Sequence, residues 1–265
     1  MFAHYSLITD LADAYLLVSH GSRDPRPQMA IDRLSHQLSS YLEQVSTIES
    51  PILVATAQLE LAQQPLHIQI SDFARNCTQS GITRMAILPL FLIPGVHVME
   101  DIPAEVEIAA QEIANSVPAQ SCQRVELTVL PFLGKDPDFA NLFAQNRSGL
   151  PSQTIILAHG SRRAGGNAIV EHLASSVNLT VAYWSVAPSL TDRVAELVAT
   201  GATEIGILPY FLFAGGITDA ISQSVAQLRD QFPQVELILG EPMGNSPKLV
   251  ATIAKILASS DTSPN

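Results

Sequence analysis

The stretch LLVSHGSR at Leu16–Arg23 returns 139 positions later as IILAHGSR at Ile155–Arg162. A second segment also occurs twice, at an offset of 120 residues: SGITRMAILPLFLIPGVHV at Ser80–Val98 and TGATEIGILPYFLFAGGIT at Thr200–Thr218. Because both pairs occur in the same order along the chain, they indicate a tandem duplication. The copies differ at single positions, which indicates that one half keeps chemistry that the other has lost.

The duplication divides the chain near its middle. A chain of 265 residues with 47% apolar content can form one large core or two small ones, and the repeat favours two. The stretch Asn146–Gln153, which contains Gly149 and Pro151, is typical of a linker. We therefore predict an N-terminal domain of residues 1–147 and a C-terminal domain of residues 152–265.

Short apolar runs alternate with amphipathic stretches in both halves, which is the pattern of βα units around a parallel sheet. The predicted strands are Tyr15–Ser19, Ile52–Thr56, Met85–Leu90, Val125–Leu130, Thr154–Ala158, Val181–Trp184, Glu204–Tyr210 and Val235–Leu239. The predicted helices of the first half are Pro27–Val45, Pro65–Ser80, Val98–Ser116 and Pro137–Gln145. The sequence thus predicts an α/β protein of two domains, each with a mostly parallel four-stranded sheet flanked by helices.

The composition excludes several classes of partner. The 14 Lys and Arg residues are outnumbered by 25 Asp and Glu residues, and the net charge of −11 disfavours nucleic acid, whose phosphates require clustered cations. No apolar run approaches the roughly 18 residues of a membrane-spanning helix, so we expect no membrane partner. The N-terminus lacks the basic segment of a secretory signal, and we predict a cytoplasmic protein.

The cysteines carry no metal-binding or redox motif. Cys77 and Cys122 are far apart and neither belongs to a CxxC pair. This spacing argues against a disulfide framework, a structural zinc site and an iron–sulfur cluster. We interpret both as reduced packing residues and expect no permanently bound cofactor.

Four arginines follow the two HGS triplets: Arg23, Arg26, Arg162 and Arg163. If the triplets lie side by side, these arginines form a basic patch on an acidic protein, which would suit a small polyanion. The alternative is that they are solvated loop residues. The sequence leaves both interpretations open.

Three polar side chains follow three predicted strands of the first half. His20 ends the first strand, Glu60 lies just past the second, and His97 follows the third. Because parallel strands end at one rim of a sheet, two imidazoles and a carboxylate should converge there. A single histidine at a strand end is more often structural, so the hypothesis depends on the convergence. Such a ligand set suits divalent iron, cobalt, nickel or zinc.

The second copy lacks this set of ligands. His159 persists, but Ile217 stands where the first copy has His97. The segment AYWSVAPSL also offers no carboxylate where the first copy has Glu60. The sequence therefore predicts the metal site in the first domain alone.

Asp101 follows His97 by about one helical turn and allows two interpretations. It could stabilise the N-terminus of the helix as a first-turn acid. It could equally accept a hydrogen bond from the His97 ring and so orient this metal-binding side chain. Both remain open at this point.

Three segments together resemble the CbiX/SirB family of sirohydrochlorin chelatases: VSHGSR, LELA before Pro65, and LPLFLIPGVHVMEDIP. These class II chelatases insert a divalent metal into a tetrapyrrole. The likeness covers both halves, so the chain resembles the long, two-domain form. The resemblance implies two tandem chelatase-like domains that face a shared cleft. It also implies sirohydrochlorin as substrate, with Fe²⁺ or Co²⁺, or as a further option Ni²⁺, as the metal inserted for siroheme or cobalamin biosynthesis.

The resemblance carries over to individual positions. His20, Glu60 and His97 match the family's metal-site residues and would be both metal-binding and catalytic. The cationic residues Arg23, Arg26, His159, Arg162 and Arg163 could then bind the substrate's carboxylates. Two departures limit the likeness: Pro65 follows Glu60 by five residues where the family pattern has four, and Ile217 replaces the second histidine in the second copy.

The expected activity is that of a lyase, a sirohydrochlorin ferrochelatase or cobaltochelatase, working as a monomer because of the internal duplication. Histidine titrates near neutral pH, so His20 or His97 could accept a pyrrole proton, and the sequence does not distinguish them. One alternative is a non-enzymatic carrier of tetrapyrrole or metal. A metal-dependent hydrolase ranks last, because no flanking general base or phosphate-binding loop is visible.

Overall fold

The structure is a computed structural model that describes residues 12–46, 52–116, 124–147, 149–246 and 248–260. The chain divides into two compact units. The first consists of Met1–Phe91, Val96–Asp136 and Val250–Asn265, and the second of Leu92–Gly95 and Pro137–Leu249. The predicted domain limits, 1–147 and 152–265, describe the two copies of the sequence and stay a prediction.

The first unit contains a four-stranded parallel sheet in the order β2-β1-β3-β4. Its elements are β1 (Ala14–Ser19), α1 (Pro25–Val45), β2 (Leu53–Gln58), α2 (Leu66–Gln79), β3 (Arg84–Pro89), a π-helical turn (His97–Asp101), α3 (Ile102–Ser116), β4 (Glu126–Val129) and a 3₁₀ turn (Leu133–Lys135). After β1 the chain places β2 on one side and β3 on the other. The loops after β1 and β3 therefore leave in opposite directions and open a crevice at the carboxyl ends of the strands.

The second unit repeats this order as β6-β5-β7-β8, again with every pair parallel. The remaining elements of the chain are α4 (Pro137–Gln145), β5 (Thr154–Ala158), α5 (Ala168–Ser176), β6 (Thr180–Tyr183), α6 (Leu190–Ala199), β7 (Glu204–Pro209), α7 (Gly216–Gln231), β8 (Glu236–Leu239), a 3₁₀ turn (Met243–Asn245) and α8 (Leu249–Ser260). The predicted fold, two parallel four-stranded sheets flanked by helices, is confirmed.

The core forms because the central strands are apolar except for Ser19 and Thr154, which are also buried. Every residue of β1 (AYLLVS) and of β5 (TIILA) is buried, as expected for parallel strands that are covered on both faces. Helix α1 begins after Asp24, whose carboxylate accepts a hydrogen bond from the N–H of Arg26 at 3.0 Å. It buries one stripe of side chains at helical spacing: Ile31, Leu34, Ser35, Leu38 and Leu42.

The sequence located these elements closely. All eight predicted strands occur, with ends that differ by at most two residues. The prediction of one regular helix over Val98–Ser116 was wrong in its first turn, because His97–Asp101 is π-helical. The N–H of Ile102 donates to the carbonyl of His97, which closes a wider turn that propensities do not predict.

Other expectations concern single residues. Cys77 is a free, buried thiol, as interpreted from the sequence, whereas Cys122 lies outside the described residues. Burial raises the pKa of the Cys77 thiol to about 11. Within the described ranges, no helix is both long and apolar enough to cross a membrane.

Candidate metal centre

Three side chains that follow β1, β2 and β3 meet at the carboxyl-end rim of the first unit. One ligand atom each from His20, Glu60 and His97 lies within 4.8 Å of the others. His20 Nε2 and Glu60 Oε2 are 4.0 Å apart, and the two imidazole centroids are separated by 4.8 Å in an edge-to-face arrangement. In the part of the chain that the structure describes, this is the one group of three such side chains that could hold a metal ion.

The spacing suits a shared cation. With bonds of about 2.1 Å, two ligand atoms of one ion are at most about 4.2 Å apart. The contact of 4.0 Å between His20 and Glu60 already lies within that span. The wider spread of 4.8 Å closes through small rotations, which these partly exposed side chains can make. The ligand set leaves positions open on the ion, unlike a closed four-ligand structural site.

In both histidines, Nδ1 is engaged in a hydrogen bond and Nε2 is left for a metal. His97 Nδ1 lies 2.8 Å from Asp101 Oδ2, and His20 Nδ1 lies 3.2 Å from the carbonyl oxygen of Gly21. Carboxylates and carbonyls only accept hydrogen bonds, so in each neutral ring Nδ1 carries the proton. The unprotonated Nε2 of each imidazole is therefore available as a metal ligand.

The π-helical turn gives His97 its partner. Residues His97 and Asp101 are the first and last residues of this turn, and their side chains are in contact. Of the two interpretations of Asp101 from the sequence, the contact favours the role of holding His97. Such single π turns are frequent at functional sites.

The backbone of Glu60 is packed against the loop after β1. The N–H of Glu60 donates to the carbonyl of His20 at 2.9 Å. Gly21 has a φ of +94°, and a Cβ at this position would lie 1.9 Å from the carbonyl oxygen of Glu60. Only glycine accommodates both the backbone conformation and this contact. The HGS triplet thus places the first histidine and leaves space for the loop that carries the carboxylate.

Apolar side chains accompany the three polar ones. The ring of Phe91 lies 6.3 Å from both imidazoles, within the range of aromatic contacts. Leu61, Val96 and Met99, each close in sequence to one of the three polar residues, are 55%, 51% and 53% exposed. Exposed apolar groups next to side chains that could hold a metal suit a ligand with an apolar face.

The predicted substrate-binding arginines of the first unit differ in their surroundings. Arg26 donates from Nε to both carboxylate oxygens of Asp24, at 3.0 and 3.1 Å. These hydrogen bonds hold the pKa of the Asp24 carboxyl below its usual value. Arg23 is exposed and forms no hydrogen bond or ion pair with any residue in the described ranges.

In the second unit, His159, Arg162 and Arg163 follow β5 and are all exposed. The loop that carries the two arginines is held by Asn167, whose amide oxygen accepts from the N–H of Ser161 at 2.8 Å. The role of these three cationic residues in binding a substrate stays a prediction.

The second unit has the same backbone pattern at its rim but different side chains. The N–H of Ser185 donates to the carbonyl of His159 at 2.9 Å, just as Glu60 does to His20. Ser185 therefore occupies the position of Glu60, and its hydroxyl donates to the carbonyl of His159 at 2.8 Å. Helix α7 begins at Gly216 without a π-helical turn, and Ile217 is 39% exposed.

Comparison with known proteins finds relatives that match both halves of the chain. The CbiX family model matches residues 14–148 and again residues 153–260. Sirohydrochlorin cobaltochelatase of Priestia megaterium is 27% identical over 255 residues, which covers 88% of this chain and 75% of that protein. Sirohydrochlorin ferrochelatase of the same organism is 24% identical over 233 residues, with coverage of 83% and 80%.

Solved structures share the fold. The structure described as SirB from Bacillus subtilis with Fe3+ matches with a TM-score of 0.74 at 19% sequence identity. The match covers 94% of this chain and 95% of that one.

Proposed function

The chain belongs to the CbiX family, and we propose that it is a sirohydrochlorin chelatase that inserts Fe²⁺ or Co²⁺ into sirohydrochlorin. The observation that carries this proposal is the open group formed by His20, Glu60 and His97 at the rim of the first unit. A chelatase must bind its metal firmly enough to desolvate it and loosely enough to release it. Three exchangeable ligands with open positions meet both demands.

The reaction exchanges protein ligands for ring nitrogens. The cation is a substrate here, and the macrocycle approaches the positions that the three side chains leave open. As the ring nitrogens bind the cation, the protein ligands are released, and the two pyrrole N–H protons must be accepted by bases. Once released from the cation, Nε2 of His20 or of His97 can accept such a proton, because Nδ1 of each ring is already protonated and hydrogen-bonded.

Sirohydrochlorin is a polycarboxylate, so a protein of net charge −11 needs local cations to bind it. We assign this role to Arg23, Arg26, His159, Arg162 and Arg163. Arg23 and Arg162 best support the assignment, because both are exposed and unpaired within the described residues. Well-formed guanidinium–carboxylate hydrogen bonds contribute about 1.5 to 3 kcal/mol each.

The ligand set does not distinguish iron from cobalt, which are neighbours in the affinity series. Two relatives carry the two different names, cobaltochelatase and ferrochelatase, at similar identity. A competition of Fe²⁺, Co²⁺ and Ni²⁺ for sirohydrochlorin under anaerobic conditions would identify the preferred metal. The monomeric state and the cytoplasmic location stay predictions, and light scattering of the purified protein tests the first.

The decisive experiment measures insertion directly. Purified protein, sirohydrochlorin and Co²⁺ are mixed without oxygen, and the visible absorption of the macrocycle is followed against a reaction without protein. We expect a rate well above the spontaneous one, and its loss in His20→Ala and His97→Ala. His172→Ala is the matched control, since this histidine is exposed on α5.

Two results would overturn the proposal. If the protein binds both substrates but the rate equals the spontaneous one, the chain is a carrier. If His20→Ala and His97→Ala keep the wild-type rate, the three side chains are not the site of insertion.

A further inference from the structure

The side-chain amide of Gln69, on α2, holds the loop that carries Glu60 at both ends. Its Oε1 accepts a hydrogen bond from the N–H of Gln58 at 3.0 Å. Its Nε2 donates to the carbonyls of Gln58 at 2.8 Å and of Gln64 at 2.9 Å. We propose that Gln69 is a positioning residue that fixes the ligand arm, residues 59–64, so that the Glu60 carboxylate reaches the metal. The inference rests on the proposed function and refines the role of its site.

Strand β2 needs such a partner because it lies at the edge of the sheet. The N–H of Leu59 donates inward to the carbonyl of Ser19, so the N–H and carbonyl of Gln58 point to the open side. Backbone groups that are shielded from water must find a partner. Gln69 supplies a donor and an acceptor from one amide, as a neighbouring strand would.

The position of the Glu60 carboxylate depends on the backbone of the arm. Within the described residues, the carboxylate has one polar contact, at 4.0 Å from His20 Nε2, and its side chain is 49% exposed. No hydrogen bond therefore fixes the carboxylate itself. The arm is instead held at Gln58, at Gln64, and by the N–H of Glu60 on the carbonyl of His20.

In the second unit, the backbone of the edge strand β6 finds a different hydrogen-bond partner. Tyr183 occupies the position of Gln58, because the N–H of the next residue, Trp184, donates to the carbonyl of Ala158. The N–H of Tyr183 donates to the carbonyl of Pro188 at 2.8 Å, so the loop folds back on its own strand. That loop carries Ser185 and no carboxylate. The side-chain amide of Gln69 thus accompanies the copy whose loop carries a ligand.

The test measures the affinity for Co²⁺ in the absence of sirohydrochlorin. The metal-free protein is titrated with Co²⁺, and the visible absorption of the bound ion is followed. We expect Gln69→Ala to weaken Co²⁺ binding about tenfold, at the lower end of effects seen for groups that orient metal ligands. Gln69→Glu should weaken it at least as much, because a carboxylate would face two carbonyl oxygens. Gln79→Ala is the matched control, an exposed glutamine on the same helix.

A double-mutant cycle separates positioning from general stability. If Gln69 acts through Glu60, the Gln69→Ala substitution has no further effect on Co²⁺ binding in a Glu60→Ala background. An undiminished tenfold loss in that background would show that Gln69 acts elsewhere and overturn the inference. Wild-type affinity in Gln69→Ala, together with weakened binding in Glu60→Ala, would overturn the inference while leaving the metal site intact. If Glu60→Ala itself binds Co²⁺ like the wild type, the proposed site fails first.

Discussion

Asp101 Oδ2 lies 2.8 Å from Nδ1 of His97 and accepts a hydrogen bond from it. The two residues are the ends of one π-helical turn, so the backbone itself brings them together. A carboxylate in this position fixes the tautomer and the orientation of the ring, so that Nε2 is the atom that would bind the metal. We therefore expect Asp101 to affect metal binding through His97.

Asp101→Asn should weaken metal binding with little change in shape. The amide oxygen can still accept from Nδ1, but without the negative charge that strengthens the hydrogen bond. We expect about a tenfold loss of Co²⁺ affinity, measured by titration of the metal-free protein. Glu107→Gln, at an exposed position on α3, is the control that removes one charge from the helix that follows the π-helical turn. Equal losses in the two variants would mean that Asp101 acts only through net charge.

The convergence of His20, Glu60 and His97 followed from the sequence for a simple reason. Each follows a strand of a parallel sheet, and parallel strands deliver the residues that follow them to one rim. The pattern of apolar runs located the strands closely enough for this argument to hold. The assignment required no knowledge of side-chain conformation.

The supporting contacts did not follow from the sequence. The π-helical turn depends on one extra residue per turn, which hydrophobic spacing does not reveal. The amide of Gln69 reaches Gln58 across eleven positions through tertiary packing, and glutamine on a helix is common. For Gly21 a signal existed, since glycine follows the histidine in both HGS triplets, but the contact with Glu60 required coordinates.

The duplication provides an internal control for the metal site. His20 and His159 occupy corresponding positions, but the second unit has Ser185 and Ile217 at the positions of Glu60 and His97. We expect one metal ion per chain, measured by equilibrium dialysis with elemental analysis. His20→Ala should abolish this binding, whereas His159→Ala should leave metal affinity and stoichiometry unchanged in the absence of sirohydrochlorin. Two ions per wild-type chain would show that the second unit also holds metal.

Alanine substitutions at Gly21 and Gly81 form a matched pair that tests stability. Both have positive φ, +94° and +76°, but a Cβ at Gly81 meets nothing within 4 Å, whereas one at Gly21 meets the backbone of Glu60. Gly81→Ala should therefore cost only the backbone strain of about 1–2 kcal/mol. Gly21→Ala should cost more and should also weaken Co²⁺ binding, because the loop that carries Glu60 must move.

Urea unfolding and Co²⁺ titration of these two variants measure the difference. Because the chain has two units, unfolding is followed by two probes to test whether the transitions coincide. The expected contact with Glu60 is refuted if Gly21→Ala and Gly81→Ala lose equal stability and both keep wild-type Co²⁺ affinity.

The buried thiol of Cys77 should make the protein less stable at alkaline pH. Burial raises its pKa from 9.0 to about 11, so between these values the unfolded chain loses a proton that the folded chain keeps. The free energy of unfolding therefore falls as pH rises through this window, since the unfolded state binds fewer protons there. In a Cys122→Ser background, Cys77→Ala should show a shallower decline from pH 9 to 11 in urea unfolding, although the cavity lowers its stability at every pH. Parallel pH profiles for the two proteins, or rapid modification of native Cys77 by a thiol reagent at pH 8, would contradict the assignment.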